Sequence, residues 1–152
     1  MSRLLPLMLA VLAAAPAWPQ DRDALAELDR AGRTLAAASC PRPVEVKVSR
    51  VGDDEMRSVD CKAWRVASTR PAGGAAELPM ALVLLDPSTA LPGGLAVGAA
   101  SAEVRQRLGP PSRQAGDSLR YLLDPSRPAG DSITFEVDAG RVKAISWSWR
   151  VD

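Results

Sequence analysis

The chain has 152 residues, 19 basic against 18 acidic, with 47% hydrophobic side chains, enough for one ordinary core and too evenly charged to follow a phosphate backbone. It has no histidine and two cysteines, which excludes Ser-His-Asp triads, Cys-His pairs and histidine-based zinc sites.

Residues 1–17, MSRLLPLMLAVLAAAPA, place Arg3 before an apolar run and end on Ala15-Pro16-Ala17, the small-x-small pattern of a cleavable signal peptide. That run falls short of the roughly 20 residues a membrane span needs. A lipid anchor would need a cysteine directly after it, but the first is Cys40, behind the charged stretch DRDALAELDRAGR. The expectation is a protein without a membrane anchor, periplasmic or secreted. Only Lys47, Lys62 and Lys143 among the 19 basic residues are lysines, a bias that, with abundant alanine and proline, points to a GC-rich bacterium. Cleavage would remove Arg3 and no acid, leaving 18 basic and 18 acidic residues, so nucleic acid is not an expected partner. In an oxidising compartment Cys40 and Cys61 are expected to form a disulfide.

Residues 21–39 read as a helix, with Leu25, Leu28 and Leu35 on a helical period and Pro41 and Pro43 closing it. Val44, Val46 and Val48 alternate with Glu45, Lys47 and Ser49, the mark of a half-buried strand. After a turn at 51–55, residues 57–68 are expected as one partner strand, with Val59, Cys61 and Ala63 on one face and Trp64 and Val66 on the other. MALVLL, residues 80–85, reads as a buried strand.

The second half repeats the order. The glycine-rich stretch from Gly94 to Ser112 lacks the lysine of a phosphate loop and reads instead as a helix over 101–108, capped by Ser101 and stopped by Gly109, Pro110 and Pro111. Three strands are expected at 119–123, 133–137 and 141–151. LLDPS occurs at 84–88 and again at 122–126, which the shared chemistry of an Asp-Pro turn explains better than a duplication. The fold expected is α+β, built of two stacked helix-plus-antiparallel-sheet units (α-β-β-β twice) with helices on one face of the sheet: residues 18–91 form the disulfide-bearing half and 92–152 the second.

Val97-Gly98, Val104, Leu108-Gly109-x-Pro111, Leu119-x-Tyr121, Ile133-x-Phe135-x-Val137 and Gly140-x-Val142-x-x-Ile145 carry a resemblance. Over residues 95–149 the chain resembles the small outer-membrane assembly lipoproteins (SmpA/OmlA, BamE type) and the β-lactamase-inhibitor-protein-like domains. Resemblance to these families implies a helix-plus-sheet module that binds other proteins and carries no catalytic group. Ala100 stands where the lipoprotein family has Ser or Thr, and no lipid-bearing cysteine follows the apolar leader.

In the last three strands Leu119, Tyr121, Ile133, Phe135, Val137, Ile145, Trp147 and Trp149 share one apolar face. Arg120, Thr134, Glu136, Ser146, Ser148 and Arg150 form the other. The expected protein-binding surface is this polar face, carried by Arg120, Thr134, Glu136, Ser148 and Arg150. Trp147 and Trp149 suit a core better than a sugar-stacking site or an interface, though both alternatives stay open. No cofactor, metal or catalytic residue is expected, and a small-molecule ligand is disfavoured. Asp53-Asp54-Glu55, the densest acidic cluster, suits a solvated turn more than a calcium or glycosidase site. The leading expectation is a non-enzymatic, exported module of the bacterial envelope that binds another protein, as an inhibitor, immunity-type factor or assembly accessory. The alternatives are a carboxylate-dependent hydrolase of envelope polysaccharide and a purely structural envelope protein.

Overall fold

The computed structural model describes residues 19–74 and 76–151. The expected signal segment, residues 1–17, lies outside the described residues.

Helix α1 (Arg22–Ala37) starts where the Asp21 carboxylate accepts the Ala24 N–H at 3.0 Å, and it buries Leu25, Leu28 and Gly32 along one stripe. Strands β1 (Glu45–Val51), β2 (Asp54–Asp60), β3 (Trp64–Arg70) and β4 (Leu78–Leu84) follow as consecutive hairpins. A 3-10 turn at Pro92–Gly94 leads to α2 (Ser101–Leu108), then to β5 (Arg113–Ala115), β6 (Ser118–Leu122), β7 (Ser132–Asp138) and β8 (Arg141–Ser148).

All eight strands join one antiparallel sheet in the order β1-β2-β3-β4-β8-β7-β6-β5. This corrects the expected pair of stacked α-β-β-β units. Each helix is followed by four strands, and pairing of β4 with β8, Leu82 opposite Trp147, fuses the two sets edge to edge. A single core results: Leu25 and Leu28 of α1, Val104 and Leu108 of α2, and Leu82, Tyr121, Ile133, Phe135, Ile145 and Trp147 of the sheet belong to one cluster.

Two missed turns account for the extra strands. The stretch 57–68 is broken at Cys61–Ala63, where Lys62 takes φ 69°, its N–H donates to the Asp60 carboxylate at 2.9 Å, and the Cys61 N–H donates to the Trp64 carbonyl at 2.9 Å. The break resets the alternation. Val59 therefore lies opposite Val66 on the same face, not across the sheet from it. The other missed turn, Gly116-Asp117, folds the short β5 back on β6.

Helix α2 has its expected bounds, but its N-cap is Ala100 rather than Ser101. No side chain caps it; the Ser101 N–H donates instead to the Gly140 carbonyl at 2.9 Å, and Ala100 bridges Arg141. At the other end Gly109 has φ 80° and its missing Cβ makes room for the chain entering α1: a methyl there would lie 2.6 Å from the Pro19 carbonyl oxygen. The glycine-rich stretch thus lets the two helices meet, and the Asp21 N–H donates to the Leu108 carbonyl at 3.0 Å.

The two LLDPS strings occupy inequivalent places. One follows β4, the last strand of its set; the other follows β6, the second of its set. Their turns have the same chemistry, with Asp86 accepting from the Ser88 hydroxyl and N–H at 2.6 and 2.7 Å, and Asp124 from those of Ser126 at 2.7 and 3.0 Å. The Ser88 and Ser126 hydrogen bonds hold the two carboxyls below their ordinary range.

Tyr121 is fully buried, edge-on to Phe135 at 5.9 Å between ring centroids, and its hydroxyl donates to the Gly109 carbonyl at 2.9 Å. Burial pushes the phenol up to about 12. Because the unfolded chain releases this proton at lower pH than the folded one, Tyr121 supports the fold fully below its ordinary value near 10. That support is lost as pH rises from about 10 through about 12. The Y121F variant is expected to flatten the alkaline limb of a stability-against-pH curve measured by urea denaturation.

Candidate functional site

Both helices sit on one face of the sheet, so the other face is where the chain has side chains to offer. Register defines its rows. Arg113, Arg120, Thr134, Ser146, Val83, Arg65, Asp60 and Glu45 stand opposite one another in turn across all eight strands. The adjacent row runs through Ser132, Ser148, Ala81, Ala67, Ser58 and Lys47. Small side chains occupy the middle and charges the margins.

The structure brings Arg120 and Thr134 together as direct cross-strand neighbours, and Ser148 stands opposite Ser132 one row away. Glu136 lies diagonal to Arg120 and accepts the Ser118 hydroxyl at 2.6 Å. Arg150 lies past the end of β8, where its N–H donates to Asp131 at 2.7 Å, beside a shallow hollow of about 240 Å³ that includes Asp124 and Arg127. It stands apart from the Arg120 row.

Sequence reading missed Arg113, because residues 113–115 were not recognised as a strand. The signal lay in Gly116-Asp117, a two-residue turn between Arg113-Gln114-Ala115 and Ser118-Leu119-Arg120. Arg113 stands directly opposite Arg120, and like charges so placed destabilise a strand pair. Neither guanidinium has a carboxylate within ion-pair distance among the described residues, whereas Arg65 in the same row is held by Asp60 at 3.2 Å.

Trp147 and Trp149 are core residues, 0% and 4% exposed. The Trp147 Nε1–H donates to the Leu28 carbonyl at 3.0 Å; the Trp149 Nε1–H donates to Asp29 at 2.7 Å, with the Arg33 guanidinium 5.1 Å from its ring centroid. Neither ring is open for stacking on a ligand.

On the helix side, the row Val46, Val59, Val66, Leu82, Trp147, Ile133, Tyr121 is buried from Leu82 onward and opens toward β1. Val46 is 43% exposed, which corrects the expectation of a half-buried β1: all its residues are exposed, because α1 packs chiefly on β4 and leaves this edge of the sheet uncovered. Between the end of α1, the Cys40–Cys61 disulfide and β1–β3 lies an open groove of about 430 Å³, floored by Val59, Val66 and Trp64. At its far end Ser68 and Arg57 both engage Glu77.

Asp53, Asp54 and Glu55 serve the β1–β2 turn and its neighbours. Asp54 accepts the Ala72 N–H at 3.0 Å and Glu55 faces Arg70 at 3.9 Å. Among the described residues no three acidic or cysteine side chains converge as a metal site, and no helix is long and apolar enough to cross a membrane.

No protein family, curated protein or solved structure matches this chain. The resemblance over residues 95–149 therefore rests on its motif residues alone.

Proposed function

We propose that this chain is a non-catalytic protein-binding module of the bacterial envelope or its exterior, and that the helix-free sheet face receives an acidic patch on a folded partner. The observation that carries this reading is the unneutralised pair Arg113–Arg120, set opposite each other at the edge of a platform of small side chains. An incoming carboxylate would relieve their repulsion and gain bidentate geometry from either guanidinium. A flat face edged with charge suits a macromolecule better than a small molecule, which prefers a concave, mostly apolar pocket. The disulfide and the apolar leader support placement in an oxidising compartment.

The single variant R113E separates binding from folding. It replaces a like-charge cross-strand pair by an opposite-charge one, so its thermal midpoint is expected to rise slightly, by the equivalent of about 0.2–1 kcal/mol. At the same time, an acidic protein retained from periplasmic extract by the immobilised wild type should be lost from R113E, and should elute from the wild type with salt. Equal retention by both, with salt-insensitive elution, would remove this face as the binding surface.

A further inference from the structure

We propose that β1 is a self-pairing strand: two copies of the chain join antiparallel through their β1 edges, centred on Val46, extending one sheet across both. This inference is independent of the polar-face reading, since it uses the opposite half of the sheet and needs no other protein.

The backbone comes first. Val51 and Asp54 close a two-residue turn, so they form a hydrogen-bonded pair, and alternation then directs the backbone groups of Val51, Ser49, Lys47 and Glu45 toward β2. Those of Val46, Val48 and Arg50 point away from the sheet. Natural edges are usually blunted by brevity, proline, a bulge or charge; β1 runs seven residues in unbroken register with β2 without proline or bulge, and its charges, Glu45 against Lys47 and Arg50, are of both signs, so a second copy can match them. By contrast, the opposite edge, β5, has three residues. At the N-terminal end the Val44 N–H is committed to the Asp60 carbonyl at 2.7 Å and Pro43 has no N–H, so a ladder centred on Val46 is short and bounded.

Side chains then choose the register. A two-fold axis through Val46 sets Glu45 opposite Lys47 of the second copy, twice, in non-hydrogen-bonded pairs where side chains approach most closely. Within one chain Glu45 lies opposite Asp60, a like charge already held by Arg65, and its contact with Lys47 is an exposed one at 3.4 Å. Other two-fold registers fail: one through Glu45, Lys47 or Arg50 opposes like charges, and one through Val48, Ser49 or Val51 leaves no opposite-charge pair within the strand. The same Val46 axis sets Val46 against Val46 of the second copy. Val46 and Val48, which are 43% and 59% exposed, would then gather with their counterparts on the helix side. A single register thus satisfies both faces.

The test uses the purified, oxidised protein in sedimentation equilibrium. Wild type is expected to show a concentration-dependent doubling of mass. K47E and E45K each place like charges opposite one another and should both remain monomeric. An equimolar mixture of K47E and E45K restores both opposite-charge pairs, so it should double in mass where neither does alone, and the E45K/K47E swap should dimerise like wild type. Wild type that stays monomeric up to millimolar concentration overturns the proposal, as do single variants that dimerise like wild type. Heterodimerisation failing while wild type dimerises would overturn the Val46 register.

Discussion

Trp147→Ala is expected to destabilise the chain by about 3–5 kcal/mol, the range for emptying a large aromatic site in a packed core. The indole lies in the middle of the sheet, opposite Leu82 on one side and Ile133 on the other, and reaches α1 through its Nε1–H on the Leu28 carbonyl. Seating depends on Gly32, one helical turn further on. A Cβ at Gly32 would stand 2.5 Å from Nε1 and 2.6 Å from the adjoining ring carbon, inside any allowed contact. Gly32→Ala should therefore cost about 1–3 kcal/mol by forcing helix and sheet apart. That sign is informative, because helix propensity alone would stabilise the substitution by about 1 kcal/mol. In the Trp147→Ala background the methyl has space, and the same Gly32→Ala change should become neutral or favourable. Urea denaturation of the four proteins closes this cycle, and a Gly32→Ala cost unchanged by removal of the indole would mean that the notch does not seat the helix.

Which parts of this were legible in the sequence follows from how local their causes are. Both helices could be bounded from apolar spacing and proline stops, and β6, β7 and β8 from alternation, because these signals reside in neighbouring residues. The Lys62 turn was not legible. It has no glycine, proline or asparagine, and its left-handed residue is held by the Asp60 side chain and by the hairpin it closes. Missing it cost more than one boundary: within the expected strand 57–68 the residues from Trp64 onward changed face, which hid the shared floor of Val59, Val66 and Trp64 beneath the groove. Missing β5 similarly hid Arg113, and with it the charge arrangement around Arg120. The valine alternation of β1 identified a strand but not its exposure, because burial depends on where α1 ends, a tertiary fact. Nothing near Gly32 in the sequence marks it as a seat, because the indole it makes room for lies 115 residues further along the chain.

Removing the disulfide as C40S/C61S is expected to cost about 3 kcal/mol, the loop-closure entropy for cysteines 21 residues apart. Its effect should be unevenly distributed. In the C-terminal half, burial under two helices holds Tyr121, Phe135 and Trp147 in place. Strands β1 and β2 lack that cover: their helix-side valines open onto the groove, so beyond the ladder through β3 to β4 their position relative to α1 is steadied by the tie between Cys40, just past the helix, and Cys61, at the β2–β3 turn. Freed of it, β1 and β2 should exchange their amide hydrogens much faster than β6–β8, which remain anchored to the common core. Hydrogen exchange resolved by strand measures this directly. A uniform loss of protection across all eight strands would show instead that the sheet opens as one cooperative unit, with the disulfide acting on the whole unfolded chain. Local release would also blur the β1 edge, so C40S/C61S should weaken self-association more than its global stability loss implies. The bond would then link the redox state of the compartment to the pairing strand it steadies.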